Sequence, residues 1–152
     1  MIYTIETDQT LPRPLDDVFP FFADAGNLEA ITPPELRFSI ETPLPIEMRV
    51  GALIEYRLTL YGVRFRWLTE ISVWEPGHRF VDQQVLGPFA LWHHEHRFSA
   101  AEDGASRIQD TVHYALPLDP VGRIAHPLVR RQLDRIFDYR TARVDELLGK
   151  PE

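Results

Sequence analysis

The sequence has no cysteine, and its only lysine is Lys150. Without cysteine there is no disulfide, no thiol nucleophile and no thiolate-bound zinc. With one lysine, 15 of the 16 basic residues are arginine; 23 acidic residues outweigh them, and the formal net charge is -7. Such a balance argues against nucleic acid as a partner, because phosphate contacts need a basic surface. No stretch approaches the unbroken apolar length of a membrane span. The start, MIYTIETDQT, alternates like a strand and lacks the basic segment and apolar run of a secretory signal, so a cytoplasmic protein is expected. Also missing are a Gly-rich phosphate loop, a nucleotide fingerprint and a Ser/His/Asp order, which leaves kinase and hydrolase readings without support. No cofactor is expected. There is no repeat of 20–50 residues and no low-complexity tract.

What is present is an ordinary globular composition, 44% apolar and 26% charged over 152 residues, enough to bury a core in a single domain spanning 1–152. Ile2 to Thr10 reads as a strand. In LPRPLDDVFPFFAD, Pro14 suits a first helical turn, while Asp16 and Asp17 favour the positive amino end of a helix. Val18, Phe19 and Phe22 fall on the buried face of that helix, which Pro20 bends or shortens. Gly26-Asn27 breaks the chain, a short helical turn carries Leu28 to Ile31, and Pro33-Pro34 ends it.

From Leu36 to Leu118 the signals are almost all strand. LRFSIET is short, and TPLPIEMRVG is a Pro-rich loop. Ile54, Tyr56, Leu58 and Leu60 share one face of the next strand. After the Tyr61-Gly62 turn, Val63, Phe65, Trp67, Thr69 and Ile71 share a face, with Arg64 and Arg66 on the outer side. EPGH, LGP and EDGA have the composition of hairpin turns. The chain closes with a helix, Asp119-Pro120 serving as N-cap and first residue, and Pro127 separating a short lead-in from the main body. Leu133, Ile136, Phe137, Val144, Leu147 and Leu148 form its apolar stripe, while its arginines read as a solvated face. The fold class is therefore α+β: a curved antiparallel sheet wrapped around a long C-terminal helix, with two short helices after the first strand. A ligand cavity belongs where sheet and helix diverge.

The stretch FVDQQVLGPFALWHHEHRF places polar groups among aromatics, and the phase of its apolar neighbours shows which way they point. Phe80, Asp82, Gln84 and Leu86 share one face; so do Trp92, His94, His96 and Phe98; so do Ile108, Asp110, Val112, Tyr114 and Leu116. The inner faces then carry Asp82, Gln84, His94, His96, Asp110 and Tyr114, with His93 outside. Burying an unpaired carboxylate or imidazole costs several kcal/mol, so these groups pair with one another, with water or with a ligand. Three readings follow: a structural network in which Asp110 and Asp82 orient the imidazoles, a recognition cluster in an apolar pocket, or a His–Asp general acid-base. His94-x-His96 has the spacing of two metal ligands on one strand face, with Asp110 as a third, but an H-x-H pair in a strand is a weak signal and no metal is expected.

VFPFFADAGNLEAITPP, GPFALWHHEHRF, DTVHYALPLDP and RIFDYR, in this order, resemble the START/Bet v 1-like (SRPBCC) superfamily, and within it the bacterial polyketide cyclase/dehydrase-like branch. The resemblance implies the helix-grip fold and a cavity for a small hydrophobic molecule: a lipid, a polyketide or an aromatic compound. Tyr56, Phe65, Trp67 and Trp92 are then candidates for the apolar wall, alongside core packing. Asp82, Gln84, His94, His96, Asp110 and Tyr114 are candidates for its polar part. The alternative is an aromatase/cyclase-type enzyme in which His94 or His96, with Asp110, moves a proton on a polyketide-like chain. A protein-interaction module is the third possibility, and an exposed apolar patch would be its mark.

Overall fold

Alternation of apolar and polar residues from Tyr3 to Ala115 resolves, in a computed structural model that describes residues 1–151, into one seven-stranded antiparallel sheet. The strands are β1 (Tyr3–Leu11), β2 (Ser39–Ile40), β3 (Leu53–Leu60), β4 (Val63–Glu75), β5 (Arg79–Leu86), β6 (Leu91–Ala100) and β7 (Ser106–Ala115), in the spatial order β1-β7-β6-β5-β4-β3-β2. Between β1 and β2 lie helix α1 (Leu15–Ala23) and three 3-10 turns, Ala25–Asn27, Glu29–Ile31 and Pro34–Leu36. Helix α2 (Val121–Leu148) ends the fold and lies along the concave face of the sheet. This is the helix-grip architecture.

Local chemistry accounts for the elements. Asp16 and Asp17 stand in the first turn of α1, where the helix dipole favours anions. The β3–β4 hairpin turns on Tyr61 (φ 50°) and Gly62 (φ 76°), two left-handed residues whose combination matches the twist of the flanking strands. Strand β4 slips register against β5 between Leu68 and Thr69 and again between Ile71 and Val73. Such irregularities bend a strand and let the sheet curl around a helix.

Two apolar clusters fill the space between sheet and helices. One gathers Val18, Phe80, Phe98, Val144 and Leu148, with Phe19 edge-on to Phe98 at 5.0 Å. The other gathers Trp67, Phe89, Trp92, Tyr114, Leu133 and Phe137. Helix α2 and the residues just after it are also tied down by polar contacts: Gln9 and Arg13 donate to the carbonyls of Thr141 and Lys150, and Arg143 donates to that of Ala30.

The structure corrects several expectations. Helix α2 runs unbroken through Pro127, which is exposed, so water can take the Arg123 carbonyl that loses its partner there. The N-cap is Pro120 rather than Asp119. The second strand shrinks to Ser39–Ile40. Leu147 is exposed, and Leu148 and Val144 carry that end of the stripe. Val121, Ile124 and Leu128, spaced three and four residues apart, form an exposed apolar row on the first turns of α2 that composition alone did not reveal.

Gly122 marks how tightly α2 is seated. A Cβ at this position would lie 2.5 Å from the Pro117 carbonyl oxygen and 2.9 Å from Leu116 Cβ. Alanine normally stabilises a helix interior by about 1 kcal/mol over glycine. Here the clash reverses the sign: Gly122→Ala is expected to destabilise the fold by about 1–3 kcal/mol in chemical denaturation, and a neutral or stabilising result would contradict this packing.

Candidate functional site

The register of the three central strands assembles the site. Asp82 on β5 stands directly opposite His94 on β6, and His96 on β6 directly opposite Asp110 on β7. All four side chains point to the concave face; His94, His96 and Asp110 are buried, and Asp82 is mostly enclosed. The imidazoles of His94 and His96 stack at 3.7 Å between ring centroids, and Phe80 stacks on the far side of His96 at 4.2 Å. His96 donates from Nε2 to Asp82 Oδ2 at 2.5 Å, and His94 Nδ1 lies 3.7 Å from the same oxygen. On the opposite side, His94 Nε2 and His96 Nδ1 approach Asp110 Oδ1 to 3.5 and 3.4 Å. Those two contacts are charge contacts rather than formed hydrogen bonds, and all three atoms lack a hydrogen-bond partner. Thr7 donates to the other oxygen, Oδ2 of Asp110.

The two histidines diverge electrostatically. Burial, then the neighbouring His96, holds His94 below the usual imidazole value against the pull of Asp82 and Asp110. Burial pushes His96 down as well, but Asp110 and Asp82 outweigh it and its value is raised. For the carboxylates, burial works toward the neutral acid and loses. Asp82 is held low by His94 and His96, and Asp110 well below the usual range by Arg140 and both imidazoles. One imidazole thus keeps its proton to higher pH than its neighbour, as coupled sites do.

This cluster forms one wall of a cavity of about 170 Å³ between the sheet and α2. Its other walls are apolar and aromatic: Phe21, Phe22, Leu28 and Ile31 from the α1 region, Tyr56, Leu58 and Trp67 from the sheet, and Leu133 and Phe137 from α2. Burial, then the charge of Asp82, raises the Tyr56 phenol well above its ordinary value, so its hydroxyl stays protonated.

Of the residues singled out from sequence, Tyr56, Trp67, Asp82, Trp92, His94 and His96 line this cavity, and four others do not. Gln84 grips the β5–β6 connection, donating to the Phe89 carbonyl at 2.7 Å and accepting from the Phe89 N–H at 3.1 Å. Tyr114 is fully buried in the core and its hydroxyl is hydrogen-bonded with His126 Nε2 at 2.8 Å. Asp110 lies behind the imidazoles, beside a smaller hollow with Thr7 and Gln9. Phe65 sits two residues nearer the hairpin tip than Trp67, opposite Leu58, outside the lining. His93 faces the other side of the sheet, toward His113.

Reading the arginines of the last helix as one solvated face misses Arg140. It lines the cavity and lies 5.6 Å over the ring of Phe22. The signal is in the sequence: Leu133, Phe137, Arg140, Val144 and Leu148 follow one another at the helical spacing of the buried stripe.

Asp82, His94 and His96 each offer a ligand atom, all within 4.8 Å of one another, and Asp110 stands behind both imidazoles in the manner of an orienting carboxylate. Near-parallel stacked rings, however, send their nitrogen lone pairs along parallel rather than converging lines, and the 2.5 Å bond from His96 already occupies Asp82 Oδ2. As it stands the trio is built for hydrogen bonding; a cation would require the rings to splay.

No protein-family model matches the chain, and no curated protein does. Solved structures do. The Zhui aromatase/cyclase from Streptomyces sp. R1128 superposes with a TM-score of 0.76 at 15% identity, covering 95% of this chain and 92% of that one. TTHA0849 from Thermus thermophilus gives 0.69 at 21% identity over 95% of both chains. A START superfamily protein from Mycobacterium smegmatis gives 0.66 at 12% identity over 95% and 98%. The chain has the START/Bet v 1-like fold.

The opposed shifts of the two histidines predict a stability profile. A group with a depressed folded pKa, His94, lowers stability as pH falls below the unfolded value of 6.5, where only the unfolded chain binds the proton. A group with a raised folded pKa, His96, contributes stability that is complete below 6.5 and lost as pH rises through its folded value. The pair therefore favours maximal stability near pH 6.5. Urea unfolding at closely spaced pH values is expected to show the decline above pH 6.5 in the native chain and its absence in His96→Gln. An unchanged slope in that variant would remove His96 as its source.

Proposed function

We propose that the chain is a single ligand-binding domain that takes up one small hydrophobic molecule in the cavity between its sheet and α2. The observation that carries this reading is the composition of the cavity: a predominantly apolar, aromatic-rich lining that meets a compact polar cluster, Asp82, His94 and His96, at one wall. Small-molecule sites follow this pattern, with apolar walls supplying affinity and a few placed polar groups fixing orientation. The size narrows the class. At about 170 Å³ the cavity is close to the roughly 150 Å³ at which an engineered apolar cavity admits benzene, and well short of the roughly 300–1,000 Å³ of drug-sized pockets. A compact aromatic or a short acyl chain fits; a longer lipid or polyketide requires α2 to move off the sheet.

A second reading, an enzyme of the aromatase/cyclase type, has one observation in its favour beyond the likeness to the Zhui aromatase/cyclase. His94, held toward its neutral form at the cavity wall, has the chemistry of a general base. Turnover of a polyketide-like chain would distinguish it from binding.

The test is native mass spectrometry of the protein purified from its own host, followed by calorimetry with naphthalene as an apolar probe. A bound hydrophobic compound in the first, or saturable 1:1 naphthalene binding in the second, supports the binding reading. An empty protein that naphthalene does not stabilise overturns it. For a ligand recovered from the host, His96→Ala is expected to weaken affinity about tenfold or more, because it removes an imidazole from the polar wall of the cavity. His93→Ala, on the outer face, is expected to leave it within about twofold. Equal losses in the two variants would contradict the assignment of the inner face.

A further inference from the structure

We infer that the molecule held in this cavity carries an anionic group, a carboxylate in the simplest case, and that Arg140 is its counter-ion. The inference rests on the cavity being a ligand site and adds the chemical class of the ligand.

The first observation is the position of Arg140 on its helix. Leu133, Phe137, Val144 and Leu148 are the buried residues of the α2 stripe, and Arg140 stands in the same row between Phe137 and Val144. The helix therefore aims this guanidinium at the sheet, where it joins Phe22, Phe137, Asp82, His94 and His96 around the cavity.

The second observation is what its neighbours on α2 do. Arg123 pairs with Asp119, Arg130 with Asp134, Arg135 with Glu35 and Arg143 with Glu146, all within 3.0 Å. Arg123 and Arg135 are exposed and Arg130 and Arg143 partly so, and all four are paired. Arg140 is half-buried, and among the described residues no carboxylate lies within 4.0 Å of it and no acceptor is hydrogen-bonded to it. Arg140 borders the small hollow that holds Asp110, and its charge helps to hold that carboxyl low, but the two make no direct contact; Asp82 is hydrogen-bonded to His96. The remaining α2 arginine without a carboxylate, Arg131, is exposed to water.

A guanidinium does not shed its proton, and placing one beside an apolar cavity without an acceptor is unfavourable. Its planar fork matches a carboxylate in two parallel hydrogen bonds, an arrangement roughly twice as strong as neutral hydrogen bonding. The guanidinium carbon lies 5.6 Å from the centre of the Phe22 ring, and none of its N–H groups is hydrogen-bonded within the described residues.

The experiment compares two probes of the same shape, 2-naphthoate and 2-naphthylmethanol, by isothermal titration calorimetry at pH 7 on the full chain and on Arg140→Gln and Arg140→Lys. The native chain is expected to bind the carboxylate at least about tenfold more tightly than the alcohol. In Arg140→Gln that preference is expected to shrink to within about twofold while affinity for the alcohol is retained, and Arg140→Lys is expected to keep part of the preference. Equal binding of the two probes by the native chain overturns the inference and leaves the cavity reading intact. So does an equal loss of both in Arg140→Gln, which would make the residue a packing element. Failure of both probes to bind the native chain overturns the cavity reading together with it. The comparison on the native chain stands whether or not either variant folds.

Discussion

Two carboxylates and two imidazoles share the concave face of one sheet, and the need to neutralise them there constrains much else. Each group alone would face a large desolvation cost; together, Asp82 and Asp110 bracket the stacked rings of His94 and His96 from either side. The arrangement exists only in one register. A one-residue slip of β6 would turn His93, Glu95 and Arg97 inward and send Trp92, His94, His96 and Phe98 to the outer face. Depending on its direction, that slip would set Glu95 opposite Asp110 or opposite Asp82, so the polar cluster and the aromatic residues both favour the native pairing. Net stability need not rise from such a network; replacing one partner costs more than the intact set contributes. Its clearer effect is to fix which side chains face the cavity.

The same constraint explains why much of this architecture was legible in the sequence. Period-two alternation in β3, β4, β6 and β7 is unusually clean, and aromatic or aliphatic residues bracket the polar ones, so the inner face could be read by phase alone. The Asp82–His94 and His96–Asp110 pairs then follow once the strands are neighbours. What phase does not supply is depth. Gln84 and Tyr114 point inward as read, yet a short loop consumes the amide of Gln84 and His126 engages the hydroxyl of Tyr114. Both partners lie outside the pattern that revealed the residue. The course of α2 was harder for another reason: a proline inside a helix is better tolerated where water can take the carbonyl it strands, and exposure is a tertiary property.

Arg140 illustrates a bias in reading helices. Six arginines between Arg123 and Arg143 invite treatment as one solvated class, in which charge outranks position. Position is the better guide, since a residue at stripe spacing faces the core whatever its charge. A charged residue in an otherwise apolar stripe is the helical counterpart of the inward histidines of β6. Both are polar groups kept at core positions, where a packing role alone would favour leucine or phenylalanine.

These two departures meet at one cavity, and the fold by itself does not dictate that convergence. At 12–21% identity the solved relatives named above share the path of the backbone, and a shared path does not transfer chemistry. The curved sheet and α2 enclose an apolar volume by geometry alone, requiring only that Phe22, Leu58, Trp67 and Phe137 fill its walls. Nothing in that geometry calls for an arginine from the helix to face a histidine pair from the sheet. In a wholly apolar pocket a ligand is held by shape and free to turn end for end. With Arg140 on one side and His94, His96 and Asp82 on the other, the pocket has a polar pole, and a molecule with one charged end has one orientation in it. For a ligand of the kind proposed, these polar residues would set which way round it lies as well as add affinity, and so decide which of its atoms His94 could reach.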